Sequence, residues 1–289
     1  MEYQTFKDLG KNARPPKGYK QIKLLWVYDI KHDLRHKARC VAGGHMTDPC
    51  KDMAYAGVVS FRSFRIALLA GELNGLSSMV GDIGSAYLEA FTKELICFIA
   101  GPEFGELEGH MMIIVKALYG LRTSGARFHE SLADTLRDLE FIQCKSDPDV
   151  WLRKGTHCWE YICVYVDDLL AVMEDPKEFF DTLINTYKYK LKGVGPIHYH
   201  LGADFRRDQE GTLYMSPKTY IQRFLENYSR TFGEMPKKYS SPMEKNDSPE
   251  LDDSALLEPD DIKKYQSIIG ALQWCITPVW GDLTYLWRS

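Results

Sequence analysis

Apolar residues recur along the chain at two spacings, one typical of strands and one typical of helices. Runs rich in β-branched and aromatic residues predict strands at 22–28, 37–42, 78–83, 95–99, 161–166, 169–173 and 197–205. Apolar positions three and four residues apart predict helices that begin near Ser60, Ser124, Asp175, Pro217 and Ile262. The first two strands are predicted to pair as a β-hairpin.

Local signals mark where the helices begin and end. Ser60 is a suitable N-cap, and Asn74-Gly75 ends the same helix. Asp175 precedes Pro176 and stands three residues before Glu178, which is the pattern of a capped helix start. The order of the elements predicts an α+β fold, in which helices cover one face of an antiparallel sheet.

Two adjacent carboxylates separate the strands predicted at 161–166 and 169–173, so we expect a tight hairpin with Asp167-Asp168 at its turn. Such turns normally favour Asn-Gly or Asp-Gly. Two like charges side by side raise the pKa of a carboxyl group and destabilise the turn unless a cation neutralises them. The alternative is a solvated acidic turn, which the apolar flanking strands disfavour because they place it against a core.

A third carboxylate, Asp82, ends the strand predicted at 78–83. We expect it to meet Asp167 and Asp168 at one edge of the sheet. Mg²⁺ prefers a few carboxylates together with substrate phosphates, and two such ions can activate a hydroxyl and stabilise a leaving pyrophosphate. The alternative for Asp82 alone is a strand-end acid that faces water.

Charge is distributed unevenly along the 289 residues. The formal net charge is -4, which by itself argues mildly against a nucleic-acid partner. Residues 1–39, however, carry ten basic against four acidic side chains, whereas residues 242–261 carry eight acids against one lysine. The chain therefore has a basic N-terminal segment and, over about residues 236–261, an acidic, proline-rich linker.

Cysteine usage and hydropathy indicate the compartment. The 7 cysteines include no CxxC pair, which argues against a disulfide framework or a zinc site and for a reducing intracellular environment. No apolar run is long enough to span a bilayer, so no membrane partner is expected.

An ordered set of motifs resembles the polymerase part of copia-type retrotransposon reverse transcriptases. Asp82-Ile83-Gly84-Ser85-Ala86-Tyr87 resembles the first catalytic motif of these enzymes, and Tyr165-Val166-Asp167-Asp168 resembles their YxDD motif. Further stretches point to the copia type in the same order; these are residues 26–28, 37–42, 116–121, 146–149, 265–270 and 280–283. One YxDD motif is a weak signal, whereas the ordered set is strong.

The resemblance implies a right-hand polymerase fold. Residues 1–75 would contain the basic segment and a fingers hairpin, residues 76–215 the palm, and residues 216–289 the start of a thumb or connection. Residues 198–202 resemble the primer-grip hairpin. Because neither an integrase nor an RNase H domain is present, we expect a fragment or decayed copy of a longer polyprotein. We expect it in the cytoplasm, within a virus-like particle, or in the nucleus.

The resemblance also implies roles for individual residues. Two Mg²⁺ ions, which Mn²⁺ could replace, would be held by Asp82, Asp167, Asp168 and Ile83. Contacts to the substrate, a dNTP on an RNA or DNA template with its primer, would come from Tyr87, Lys37, Arg39, Tyr165 and Lys192. The alternatives are an ordinary buried tyrosine for Tyr87 and a solvated basic strand face for Lys37 and Arg39.

The chain departs from the copia-type pattern at two places. Thr123 stands where these enzymes usually carry a glutamine that contacts the templating pair, and Gly43-Gly44-His45 replaces their usual basic run. Two rival interpretations therefore stand beside an RNA-directed DNA polymerase. One is a relic that binds nucleic acid without turnover, and the other is an α+β protein that binds a divalent ion structurally. The sequence leaves the oligomeric state open.

Overall fold

The structure is a computed structural model that describes residues 4–30, 35–47, 56–238 and 255–276. It divides into two compact units, Met1–Pro196 and Ile197–Ser289. The sequence predicted boundaries after residues 75 and 215, between fingers, palm and thumb. These boundaries differ from the division after Pro196 and stay a prediction. No helix among the described residues has the length and apolar character needed to cross a bilayer.

The strands occur in groups of three or four, and helices separate these groups. The strands are β1 Phe6–Lys11, β2 Lys20–Gln21, β3 Leu24–Ile30, β4 His36–Ala42, β5 Ser77–Ile83, β6 Ile96–Ile99, β7 His110–Ile114, β8 Ile142–Gln143, β9 Val150–Lys154, β10 Trp159–Tyr165, β11 Asp168–Met173, β12 Leu191–Pro196, β13 Tyr199–His200, β14 Ala203–Arg207 and β15 Leu213–Ser216. The helices are α1 Phe61–Leu73, α2 Ser124–Asp138, α3 Pro176–Asn185, α4 Lys218–Phe232 and α5 Pro259–Ile276.

The first unit is built on a six-stranded antiparallel sheet with the order β12-β5-β11-β10-β9-β8. Leu169, Ala171 and Met173 of β11 belong to one buried cluster with apolar side chains of α2 and α3, such as Phe128 and Phe180. This confirms the α+β class and an antiparallel sheet covered by helices.

Helix α1 adds to the expected arrangement because it lies on the opposite face of the sheet. Side chains alternate along a strand, so Val172 points away from the cluster that contains Ala171 and Met173. Val172 contacts α1 at Gly71. The sheet is therefore buried on both faces along β11, where every residue from Leu169 to Met173 is at most 1% exposed.

The predicted helix caps are confirmed. The Ser60 hydroxyl accepts the backbone N–H of Ser63 at 3.1 Å. The Asp175 carboxylate accepts the backbone N–H of Glu178 at 2.9 Å, with Pro176 in the first turn of α3. Each cap satisfies an amide that the helix itself leaves without a partner.

A second sheet of the first unit, with the order β1-β7-β6-β2, was only partly predicted. The sequence predicted β6 but not β1, β2 or β7. Strand β1 reads FKDLGK and lacks clear alternation, and its register against β7 shifts between Asp8 and Lys11. Such a strand is held by pairing with a distant segment rather than by local propensity.

Strands β3 and β4 form the predicted hairpin as a two-stranded sheet of their own. Its apolar residues are largely solvent-exposed along β3, and Tyr28 is 76% exposed. Residues 31–34, between the strands, lie outside the described residues.

The second unit contains the three-stranded sheet β13-β14-β15 with α4 and α5. The prediction of one strand over residues 197–205 was wrong, because a turn at Leu201-Gly202 separates β13 from β14. Helix α5 begins at Pro259, so the helix starts before Ile262 and shortens the predicted linker. Most of that linker, residues 239–254, lies outside the described residues.

Candidate active site at the β10–β11 turn

The turn between β10 and β11 is one residue earlier than predicted. Tyr165 and Asp168 are cross-strand partners, so Val166 and Asp167 are its two central residues and Asp168 already belongs to β11. Val166 has a φ of 56°, which is rare for a β-branched residue. A positive φ at the first central position is the requirement of a type II′ hairpin turn. The turn thus places the two adjacent aspartates at this end of the sheet.

Strand β5 brings the third acid to the same place. Asp82 is the direct cross-strand partner of Asp168, and the next residue, Ile83, donates its backbone N–H to the carbonyl oxygen of Asp167 at 2.8 Å. Ile83 is fully buried. The pairing of β5 with β11 thus holds Asp82, Asp167 and Asp168 at one edge of the sheet.

The electrostatics of the three acids are those of a site that favours a cation. Burial, followed by the charges of Asp167 and Asp82, raises the pKa of Asp168 to about 6. Clustered carboxylate oxygens suit a hard divalent ion such as Mg²⁺. Among the described residues no three acidic, histidine or cysteine side chains are already arranged as a metal cage. The donor chemistry of the three acids fits such an ion.

A lysine lies on the other side of β5. Lys192 of β12 is the cross-strand partner of Asp82. Its side chain runs over Gly84, where an added Cβ would lie 3.2 Å from the Lys192 ammonium nitrogen. The backbone N–H of Gly84 donates to the Lys190 carbonyl at 2.8 Å, which fixes this crossing. A positive charge therefore lies beside the acidic strand end.

Tyr87 lies in the short 3-10 helix Ala86–Glu89 that follows β5. Its ring centroid is 4.8 Å from that of Tyr119 and 6.4 Å from that of Phe128. Burial is the main cause of the raised pKa of Tyr119. The charge of Asp167 raises this pKa further, so the Tyr119 ring is close to the acids. Tyr87 is therefore part of an aromatic cluster beside the acidic edge.

The structure places the two predicted basic residues of β4 at different distances along the hairpin. Arg39 lies over the Tyr119 ring, with 5.9 Å between the guanidinium carbon and the ring centroid. Lys37 shares its face of the strand but lies nearer the hairpin tip, opposite Asp29. Arg39 thus approaches the aromatic cluster, and Tyr165 joins the site as the partner of Asp168.

A cavity of about 470 Å³ opens beside the turn. It is lined by residues of four separate segments, which are Ala56, Gly57, Tyr87, Gly120, Leu121, Arg122, Ser124, Gly125, Phe128, His129 and Val166. Its volume lies within the range of about 300–1,000 Å³ that is common for ligand sites.

Sequence reasoning assigned no role to several residues of this site. Tyr119 and Gly120 fall within the stretch 116–121, and Arg122 directly precedes Thr123. The dipeptide Tyr-Gly indicates a turn, and Gly120 has a φ of 89°, which lets the chain turn closely against another backbone. No local signal shows which backbone it meets, and none marks Arg122.

Thr123 faces away from the cavity. It is 1% exposed, and both its backbone N–H and its hydroxyl donate to one carboxylate oxygen of Glu94, at 3.1 and 2.7 Å. The cavity wall at this point is formed instead by Arg122, Ser124 and Gly125. The residue that departs from the copia-type glutamine therefore serves an internal contact.

The two acids of the stretch 146–149 have partners within the first unit. Asp147 accepts the backbone N–H of Ser60 at 3.0 Å, at the start of α1. Asp149 contacts His129 Nε2 at 2.6 Å.

In the second unit, burial lowers the pKa of His200 to about 4, which agrees with an ordinary buried strand histidine.

Fold and site together define the class: the antiparallel sheet, with acids of β5, β11 and their turn at one edge, has the form of a right-hand polymerase palm. A family model described as reverse transcriptase (RNA-dependent DNA polymerase) matches residues 8–244. The chain belongs to this family, and the resemblance to copia-type enzymes is confirmed.

Relatives from plant transposons support the same assignment. The chain is 27% identical over 270 residues to the retrovirus-related Pol polyprotein from transposon RE1 of Arabidopsis thaliana, covering 90% of this chain and 18% of the relative. It is 27% identical over 227 residues to the corresponding polyprotein from transposon TNT 1-94 of Nicotiana tabacum, covering 74% and 17%. The chain therefore spans less than a fifth of these relatives.

A solved structure supports the fold. The foamy viral protease-reverse transcriptase, determined in complex with double-stranded DNA, matches 94% of this chain and 38% of its own, with a TM-score of 0.51 and 15% identity. At this identity the match confirms the polymerase fold alone.

Proposed function

We propose that this chain is the polymerase part of an RNA-directed DNA polymerase of a copia-type retrotransposon. The observation that carries the proposal is the pairing of Asp82 with Asp168 across β5 and β11, beside Asp167 in the turn. Family membership provides the reaction class, and this acidic edge is where the described residues fit it. The primer 3′-hydroxyl would attack the α-phosphate of a dNTP, with pyrophosphate as the leaving group.

The three acids and the Ile83 carbonyl are the proposed metal ligands. Bound there, two Mg²⁺ ions, or Mn²⁺ in their place, would activate the 3′-hydroxyl and stabilise the departing pyrophosphate. The raised pKa of Asp168 supports this role, because a carboxylate that its neighbours repel gains most from a cation. The Asp167–Ile83 hydrogen bond would keep β5 and the turn in register during turnover.

The substrate contacts surround the acidic edge. Arg39 and Lys192 would bind the triphosphate and its leaving pyrophosphate, and Lys37 would add positive charge further along the hairpin. Tyr87 would lie under the sugar and exclude a 2′-hydroxyl, which selects deoxynucleotides. Its packing against Tyr119 and Phe128 supports this role, because a ring fixed on two sides cannot yield to the extra oxygen. Tyr165 would support the turn next to the primer end.

The proposed nucleic-acid partner is a primed RNA or DNA template. The excess of basic residues in the N-terminal segment 1–39 supports it despite the net charge of -4, because phosphate binding depends on local charge. The foamy viral relative in fold was solved with double-stranded DNA.

Primer extension tests the proposal. The protein, with a poly(rA) template and an oligo(dT) primer, should incorporate dTTP when Mg²⁺ or Mn²⁺ is present. Asp167→Asn combined with Asp168→Asn should abolish incorporation. The matched control is Asp181→Asn, an exposed acid of α3 that pairs only with Lys177 among the interactions described for it. Incorporation that persists in the double variant would refute the assignment.

A second candidate, binding of nucleic acid without turnover, is favoured by one observation. Thr123, which stands where copia-type enzymes usually carry a glutamine, donates to Glu94 and is not among the residues that line the cavity. The same protein should then bind primer-template with an affinity that falls as salt increases, yet extend no primer. Titration of labelled primer-template at several salt concentrations, run beside the extension assay, separates the two functions.

A further inference from the structure

The base of the β3–β4 hairpin crosses the loop that follows residue 118 at very close range. The backbone N–H of Ala42 donates to the Tyr119 carbonyl at 2.7 Å. A Cβ added to Gly44 would collide with the Gly120 carbonyl oxygen, and one added to Gly120 would collide with the Ala42 carbonyl oxygen. Only glycines permit this crossing, so the two backbones are in direct contact.

Arg122, in the loop, forms hydrogen bonds to the hairpin at this crossing. Its Nε donates to the Gly44 carbonyl at 3.0 Å, and one terminal nitrogen makes a longer contact of 3.5 Å to the His45 carbonyl. A guanidinium group can serve two neighbouring carbonyls at once because its donors are fixed in one plane. The residue thus joins the end of the hairpin to the wall of the cavity that it also lines.

The hairpin needs such a connection. Strands β3 and β4 pair only with each other within the described part of the chain, and an isolated two-stranded hairpin is marginally stable in water. Arg39 lies on β4, and its position over Tyr119 depends on where the hairpin base is held. Tyr119 belongs to the same loop as Arg122, whose hydrogen bonds connect this loop to the hairpin.

We propose that Arg122 is a positioning residue, which fixes the hairpin base to the loop 119–122 and thereby holds Arg39 at the site where the incoming nucleotide binds. The kinetic part of this inference rests on the proposed polymerase function, whereas the structural part does not. Arg122 would act through the hairpin rather than by touching the reacting atoms. Its loss should therefore weaken nucleotide binding more than the chemical step.

Hydrogen exchange of the full chain, without substrate, tests the structural part. Arg122→Ala should accelerate exchange of the Ala42 amide and of the β3–β4 amides, while the amides of β5, β10 and β11 keep their protection. Arg122→Lys should lie between Arg122→Ala and the wild type, because an ammonium group can reach one carbonyl but lacks the planar fork. The control is Arg137→Ala, which removes an exposed ion pair with Asp134 within α2. It should leave exchange of the hairpin amides unchanged.

Steady-state extension by the same variants tests the kinetic part. Arg122→Ala should raise the KM for dTTP by roughly tenfold and lower kcat by less than about threefold. The proposal is overturned if Arg122→Ala leaves hydrogen exchange of the hairpin amides unchanged. If the KM for dTTP rises in that case, Arg122 contacts the substrate itself. A fall in kcat at constant KM also overturns it. If the wild type extends no primer, the proposed function fails while the exchange data still decide whether Arg122 holds the hairpin.

Discussion

At the scale of single residues, Val166 holds a conformation that its side chain opposes. A left-handed backbone costs an L-residue about 1–2 kcal/mol, and valine is among the least tolerant residues. We expect Val166→Gly to be more stable than Val166→Ala by about 1 kcal/mol, although glycine is usually the worse substitution. Urea unfolding of the two variants measures the difference. An alanine variant as stable as the glycine variant would show that the turn is not strained.

Asp168 predicts a pH dependence of stability in the absence of divalent ions. Its pKa of about 6 in the folded protein exceeds the ordinary value of 3.8, so between these values the folded state binds more protons than the unfolded state. The free energy of unfolding should therefore fall as pH rises from about 4 to about 6 and change little through this group above that range.

Chemical denaturation across this pH range, in buffer with EDTA, checks the prediction. Asp168→Asn should remove the fall, because the amide cannot ionise, and should gain stability relative to the wild type as pH rises. The exposed-acid variant Asp181→Asn serves as the control for general charge effects. The prediction fails if Asp168→Asn retains the slope of the wild type.

At the scale of elements, α2 begins without a side-chain cap of its own. Thr123 at its N-terminus bonds instead to Glu94, so the helix start depends on a contact 29 residues away in sequence. Thr123→Val keeps the volume but loses the hydroxyl donor, and we expect a loss of about 1.5–3 kcal/mol, as for other hydrogen bonds to a charged partner.

A double-mutant cycle with Glu94→Gln assigns this loss to the pair. If the hydroxyl acts through the Glu94 carboxylate, Thr123→Val should cost less in the Glu94→Gln background than in the wild type. Equal costs in the two backgrounds, measured by urea unfolding, would mean that the hydroxyl does not act through the charge of Glu94.

The elements that local signals specify were predictable from the sequence. Ser60 and Asp175 cap the helices where their side chains indicated, and the hairpin β3–β4 follows its apolar runs. The strands that were missed, such as β1 and β7, form one sheet from segments about a hundred residues apart. Pairing of this kind depends on the tertiary structure, which a local pattern does not contain.

The candidate site shows the same division. Asp82, Asp167 and Asp168 could be named because acids at a strand end and in a tight hairpin turn contradict the local pattern. The exact position of the turn could not, since no rule favours Val166 at a left-handed position over the Asp-Asp pair. Arg122 and Gly120 were also beyond local reasoning, because their importance lies in a backbone crossing with residues 42–45.

At the scale of the whole molecule, the two compact units differ in how much apolar surface they bury. Nearly all buried apolar residues in the described part of the chain belong to the first unit. The second contributes Ile197, Ala203, Phe205 and Cys275. Helix α4, the longest element of the second unit after α5, has no buried residue. Burial of apolar area is the main source of stability, so the second unit should open at a lower free energy.

Native-state hydrogen exchange with increasing urea measures this difference within one molecule. The amides of α4 should exchange through local opening at low urea, whereas those of β5, β10 and β11 should exchange only with global unfolding. A duplex substrate that binds the second unit would raise the protection of α4, since ligand binding stabilises the state that it selects. If the amides of α4 and β11 exchange at the same free energy without ligand, the two units unfold as one cooperative structure. The small number of buried apolar residues in the second unit would then not determine its stability.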